Sequence, residues 1–264
     1  LNQDKILNKL IDFKNIILNI SDTVATVSLN RPKIRNAMNL PMMKEIADCF
    51  TYLSEQSDVR IIILRGNGES FCAGADIQHM KDSGSHSASS NRSDSQLLAD
   101  LYYAVDHCPK PVIGVVHGHA FGGGFGLCNV CDITIAEEKT IFALSEVLIG
   151  IIPAIIGPYT IKKIGLSAYR SLGISGERFD GKYAEKIGLV QYAVPADEMD
   201  NLLETIVSQL KKGSPNAQAK FKEYLKNMDS LEATDVISKI RASAEGQEGL
   251  AAFIEKRKPN WLKD

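Results

Sequence analysis

Short apolar runs, each closed by a turn, recur between helical stripes as far as about residue 195, and this alternation restricts the fold more than any other feature of the sequence. Val59–Leu64 is an unbroken apolar run that ends at Arg65-Gly66-Asn67-Gly68. Val112–His117 is a second, running into Gly118-His119-Ala120-Phe121-Gly122-Gly123-Gly124, and Ile133–Ala136 is a third. Such runs read as strands buried on both faces, bounded by turn residues. Between them Asn39 is placed to cap a helix with Pro41 in its first turn. Met43, Ile46, Ala47, Phe50 and Leu53 then follow at helical spacing. Near the start, 15–20 and 23–29 are β-rich and joined by Ser21-Asp22, the pattern of a hairpin. Strands alternating with helices predict an α/β fold.

After Pro195 the pattern changes. Met199–Lys211 and Asn216–Asn227 are amphipathic with no strand between them, and a further helix is expected from Ser230 to Lys256. The reading divides the chain into an α/β core, 1–195, and a helical tail, 196–264. Within the core, Asp82–Ser95 is Ser-rich and poor in large apolar residues, so it is expected to be a mobile loop. A helix is expected from Leu97 to Asp106, stopped by Pro109-Lys110-Pro111. With 264 residues, 44% of them hydrophobic, there is ample material for a core. A formal net charge of −2 argues against a nucleic-acid partner. No stretch approaches a membrane span, and Leu1–Phe13 lacks the pattern of a secretory signal. Five cysteines, an odd number in a chain of this size, fit a reducing compartment such as the cytoplasm. Cys128 and Cys131 form a CxxC without metal-ligand flanks; two small core residues on one helix is the commoner reading. No metal site is expected.

Two turns carry the chemistry. One is Phe71-Cys72-Ala73-Gly74-Ala75-Asp76-Ile77, and the other is the triplet Gly122-Gly123-Gly124 between a strand and a helix. Free N–H groups at such places bind developing negative charge, and a pair of them from separate turns could form an oxyanion hole for a thioester carbonyl. From spacing alone, ordinary structural turns are the commoner reading. The triplet is not a dinucleotide fingerprint, and there is no P-loop.

Taken together the motifs are more specific. The 71–77 turn, the segment from Gly118 through Leu127 into Cys131-Asp132-Ile133, and Ser145-Glu146-Val147-Leu148-Ile149-Gly150-Ile151-Ile152-Pro153 resemble the signatures of the enoyl-CoA hydratase/isomerase (crotonase) family. Asn30-Arg31-Pro32 with Arg35-Asn36-Ala37-Met38-Asn39, Ser175–Phe179, Ile187–Val190 and Phe253–Pro259 are similar to further family segments, in order, from about residue 15 to 260. The resemblance implies a crotonase-type spiral of ββα units with a C-terminal α-helical domain that self-associates as a homotrimer or hexamer. It implies that Ala75 and Gly123 supply the oxyanion N–H groups. Arg35, Asn36, Ala37, Ala73, Asp76 and Ile77 would then serve the CoA moiety, and Lys256 its phosphates, with no separate cofactor because coenzyme A is part of the substrate. Glu146 matches a catalytic glutamate, and its apolar neighbours would raise its pKa toward proton transfer. The family's second catalytic glutamate is missing, because Gly126 stands at its position; the space so left could take a second water or a polar substrate group. Phe125-Gly126-Leu127, with Ile152-Pro153-Ala154-Ile155-Ile156-Gly157-Pro158-Tyr159, looks most like a bacterial subgroup of methylglutaconyl-CoA or related branched glutaconyl-CoA hydratases. The expected activity is hydration of an α,β-unsaturated acyl-CoA, with single-glutamate isomerisation or non-catalytic CoA binding as alternatives. His117 and His119 lie near the triplet, where either could serve water or simply be a core residue, and Asp76 also reads as a helix cap. His79 and Met80 are candidates for the acyl pocket.

Overall fold

The computed structural model describes residues 13–76, 78, 81 and 88–262. It opens with the expected hairpin, β1 (Ile16–Ser21) against β2 (Val24–Leu29), antiparallel with Ile16 opposite Leu29. In β2 the alternate residues Ala25, Val27 and Leu29 are buried. Helix α1 (Leu40–Glu55) starts where the Asn39 side chain accepts the Met42 N–H at 3.1 Å, a cap of the kind worth about 1 kcal/mol. Its buried face is Met42, Met43, Ile46, Cys49, Phe50 and Leu53. Strand β3 (Ile61–Gly66) follows, then α2 (Ala88–His107), β4 (Val112–Val116), β5 (His119–Phe121), α3 (Gly123–Val130), β6 (Ile133–Glu137) and β7 (Ile141–Ala143). Helix α4 (Gly157–Ser175), β8 (Arg178–Phe179), α5 (Gly181–Lys186) and β9 (Tyr192–Val194) close the strand-bearing part. Four helices follow: α6 (Met199–Lys212), α7 (Pro215–Lys226), α8 (Ala233–Ala242) and α9 (Ala244–Ile254).

The main sheet has the order β1-β2-β3-β4-β6-β9, parallel except for the first pair. In β3 and β4 unbroken apolar runs are required because both faces are covered. Ile62 and Leu64 of β3 face the core shared with α1, α2 and α3, while Ile61 and Ile63 join Ile113, Val115 and Ile135 under Met199, Leu203 and Ile206 of α6. Each such side chain contributes roughly 1.5–3 kcal/mol on burial. A smaller sheet, β5-β7-β8, stands beside the first. Single bridges extend its stacking backward, Cys72 to Ala120 and Ala75 to Met38. Successive turns of the chain are therefore layered twice over, as a spiral is.

Two expected elements differ. The Ser-rich stretch is helical from Ala88, so α2 begins nine residues before Leu97, while 82–87 lie outside the described residues. Leu101, Tyr102 and Val105 anchor the buried end of α2, and extending a formed helix costs far less than starting one. Ser93 donates to the Ser89 carbonyl at 3.2 Å and Gln96 to Asp100 at 2.8 Å along the exposed end. The single helix expected from Ser230 to Lys256 is two, broken at Ser243 (ψ 155), whose hydroxyl caps the second by accepting the Gly246 N–H at 3.1 Å. No helix among the described residues is long and apolar enough to cross a membrane.

Candidate active site

The layering of the spiral brings three separated segments to one place. Ala73 N–H donates to the Arg35 carbonyl at 2.9 Å, Met38 N–H to Gly74 at 2.7 Å, and Asp76 N–H to Met38 at 2.9 Å. The Phe121 N–H donates to Cys72 at 3.1 Å and the Gly122 N–H to Ala143 at 3.0 Å. The 35–38, 72–76 and 121–123 segments are thereby stitched side by side. Just past Ala143 the chain makes a short 3-10 turn, Glu146–Ile149, closed by Gly150 in the left-handed region (φ 79°).

A cavity of about 560 Å³ lies among these segments. Ala73, Gly74, Ala75, Gly122 and Gly123 form its polar wall with Glu146, and Ile149, Ile151, Ile152, Ile155 and Ile156 form an apolar one. That size and balance suit a small-molecule site. Ala75 and Gly123 meet there as expected. Gly123 is the first residue of α3, so its N–H has no carbonyl one turn back, and neither N–H has an acceptor among the described residues.

Glu146 is the one carboxylate lining this cavity among the described residues. It sits against Gly122, where a Cβ would lie 3.3 Å from its Oε1. Its Oε2 is buried without a hydrogen-bond partner. Burial pushes its pKa above the ordinary carboxylate value, against a smaller pull from its own backbone N–H. A carboxylate so held is primed to accept a proton and to return it.

Gly126 is different. It does not line the cavity, and no space stands beside it: a Cβ there would lie 2.5 Å from Ile156 Cγ2 and 2.6 Å from the Tyr102 hydroxyl. The room expected for a second water or a polar substrate group is filled by these two side chains. Tyr102 escaped the sequence reading because Leu101, Tyr102 and Val105 have ordinary core spacing on a helix; nothing in the text links it to a glycine 24 residues on.

The segments expected at the CoA moiety are brought together, with corrections to individual side chains. Asn36 is fully buried and its amide is committed inward, donating to the carbonyls of Asn67 (2.9 Å) and Ser70 (2.8 Å) and accepting the Arg31 N–H at 2.8 Å. It shapes the turn and offers no side chain to a ligand. Ala37 is buried, with its carbonyl accepting from Arg31 Nη1 at 2.5 Å. Arg35 is exposed, in the left-handed region at φ 53°. Asp76 pairs with Arg31 at 2.8 Å and accepts the Gln78 N–H at 2.8 Å, as a cap does. Ile77, His79 and Met80 lie outside the described residues. Lys256 is exposed beyond α9 and does not line the cavity.

His117 Nε2 meets the Gly68 carbonyl at 2.8 Å and His119 Nδ1 the Ser70 hydroxyl at 2.9 Å. Both histidines thus tie a loop to the strand beneath it, and neither lines the cavity. Cys128 and Cys131 are buried, each thiol donating to a carbonyl one turn back, and burial pushes the Cys131 thiol up to about 12. They are packing residues.

The model of the enoyl-CoA hydratase/isomerase family matches residues 19–264. A mevalonyl-coenzyme A hydratase of Aspergillus fumigatus is 32% identical over 249 residues, covering 90% of this chain and 91% of that one. A trans-2-decenoyl-[acyl-carrier-protein] isomerase of Streptococcus mutans is 26% identical over 260 residues, covering 95% and 98%. The crystal structure of an enoyl-CoA hydratase from Shewanella pealeana superposes with a TM-score of 0.92 at 33% identity, covering 99% of this chain and 100% of that one. With a matched family model over nearly its whole length, two glycine-built turns around one cavity and a glutamate between them, the chain belongs to the enoyl-CoA hydratase/isomerase, or crotonase, family.

Proposed function

We propose that the chain hydrates an α,β-unsaturated acyl-CoA reversibly, with Glu146 as its acid and base. The observation that carries this reading is Glu146 itself, a half-buried carboxylate with a raised pKa and an unpartnered oxygen in the same cavity as the free Ala75 and Gly123 N–H groups. Water adds its oxygen to the β-carbon while Glu146 takes the proton. Charge moves to the thioester oxygen, where the two N–H groups stabilise it. The proton then passes from Glu146 to the α-carbon, which completes the 3-hydroxyacyl-CoA. The isoleucine wall accepts the acyl chain. The CoA moiety runs along the stitched 35–38 and 73–76 segments, and Lys256 meets phosphates of a substrate bound to a neighbouring copy. A methylglutaconyl or related branched acyl group is the substrate suggested by the local sequence. Self-association through the helices beyond Lys212 completes the proposal, with the chain working in the cytoplasm.

Double-bond isomerisation is the second reading, and the sealed volume at Gly126 favours it. One carboxylate suffices to carry a proton between the α- and γ-carbons, whereas a bound water needs at least two polar partners. Loss of the conjugated-thioester absorbance with crotonyl-CoA, with 3-hydroxybutyryl-CoA as product, supports hydration. Appearance of that absorbance from a 3-enoyl-CoA, with no hydroxyl product, would replace it by isomerisation.

A further inference from the structure

The acid–base reading leaves one buried polar group at the reacting end without a task. Tyr102 is fully buried on α2, yet its hydroxyl donates to the Gly123 carbonyl at 2.8 Å. The same oxygen would lie 2.6 Å from a Cβ on Gly126 and 3.2 Å from one on Gly123. It therefore sits between the position that presents an oxyanion N–H and the position where a side chain is lacking. Gly122, at φ 46°, caps α3, and Gly123 and Gly124 begin it, so no side chain of these three residues restrains the turn. The Gly123 N–H shares a peptide plane with the Gly122 carbonyl, which accepts the Gly126 N–H at 2.9 Å, and Tyr102 adds a hydrogen bond from outside the helix to the next peptide of this first turn. Removing the buried hydroxyl would take away the one side-chain hydrogen bond to the Gly123 carbonyl among the described residues.

We propose that Tyr102 is a positioning residue: its hydroxyl, seated in the volume that Gly126 frees, holds the Gly123 carbonyl and keeps the Gly123 N–H aimed at the thioester oxygen. Tyr102 and Gly126 are then a matched pair, since any side chain at 126 expels the hydroxyl. The inference rests on the enoyl-thioester reading above and adds to it a residue, at the edge of the same cavity, that acts through the main chain.

The test uses 4-(dimethylamino)cinnamoyl-CoA, a chromophoric enoyl thioester whose absorbance moves to longer wavelength when its carbonyl is polarised. Tyr102→Phe keeps the ring and its packing and deletes only the oxygen. At saturating probe, the variant should give a smaller red shift than the wild type. With crotonyl-CoA its kcat should fall about tenfold while KM stays within about threefold, because an aimed N–H matters most in the transition state. Gly126→Ala, which displaces the same oxygen, should reproduce both effects. A Tyr102→Phe enzyme with the wild-type shift and wild-type kcat overturns the proposal, as does one whose KM alone changes. A wild type that binds the probe without a shift and turns over no enoyl-CoA defeats the enoyl-thioester reading instead, and the positioning role falls with it.

Discussion

At Glu146 one environment sets two expectations of opposite sign. Its pKa is raised because burial penalises the ionised form. As a base it works only when ionised, so kcat/KM should rise with pH through a pKa above the ordinary carboxylate value. For stability, a carboxyl whose folded pKa is raised favours the fold below its unfolded pKa, and this contribution is lost as pH rises through the folded value. Once ionised, Glu146 therefore costs stability. Glu146→Gln should lose at least about a hundredfold in kcat with little change in substrate affinity. The same variant should melt no lower than the wild type at pH 7, which calorimetry checks. The place of Glu146 in the cavity was legible only through the family resemblance of 145–153, because a lone glutamate beside Val147 reads more often as a solvated or capping carboxylate. That of Asn36 was misread, because a polar residue beside a binding segment gives no sign of whether its amide faces out or, as here, is used on the backbone of 67 and 70.

Among the elements, strands were the easier part to read. β3 and β4 are covered on both faces, so Ile61–Leu64 and Val112–Val116 are unbroken apolar runs, and each run announces itself. The Ser-rich start of α2 could not be read this way, since its order comes from the Leu101–Tyr102–Val105 anchor downstream and from no local propensity. The first turn of α3 was legible as glycines at a helix start, but not what surrounds it. A Cβ at 123 would lie 2.3 Å from Met38 Cε, so Gly123→Val must push that side chain aside as well as crowd the Tyr102 hydroxyl. It should fold and lose about a hundredfold or more in kcat, as removal of an oxyanion donor does. Gly126→Glu places its first carbon against Ile156 and Tyr102. Overpacking of this kind costs about 1–3 kcal/mol. The variant should be less stable in urea and should gain no activity on straight-chain substrates, despite restoring a second carboxylate.

Over the whole molecule, the helical tail is not a loose appendage. α6 covers one face of the sheet, and Lys222 of α7 reaches back to Asp132 at 2.5 Å and to the Lys110 carbonyl at 2.9 Å. Asp132 also receives the Val112 N–H at 2.7 Å, so this pair joins the tail to the start of β4. Breaking a fully buried pair costs roughly 3–5 kcal/mol. Asp132 keeps 33% of its side chain exposed, so Lys222→Ala should lose nearer to about 2 kcal/mol in denaturant unfolding. Farther along, Phe253 is 84% and Ile254 76% exposed, with Leu225, Met228 and Ile237 also outside. Exposure on this scale supports the self-association proposed above, for which sedimentation should give a trimer or a multiple of it. A stable monomer at micromolar concentration would remove that expectation. That strands cease before residue 196 was legible, but the role of α6 in the sheet's second layer was not, because amphipathicity does not name the surface a helix covers. The central claim, that one carboxylate and two main-chain N–H groups run enoyl-CoA chemistry here, is tested most directly by incubating wild type and Glu146→Gln with crotonyl-CoA in deuterium oxide and following deuterium at the α-carbon. The account predicts incorporation by the wild type and a loss of about a hundredfold or more in the variant; equal incorporation by both would contradict it.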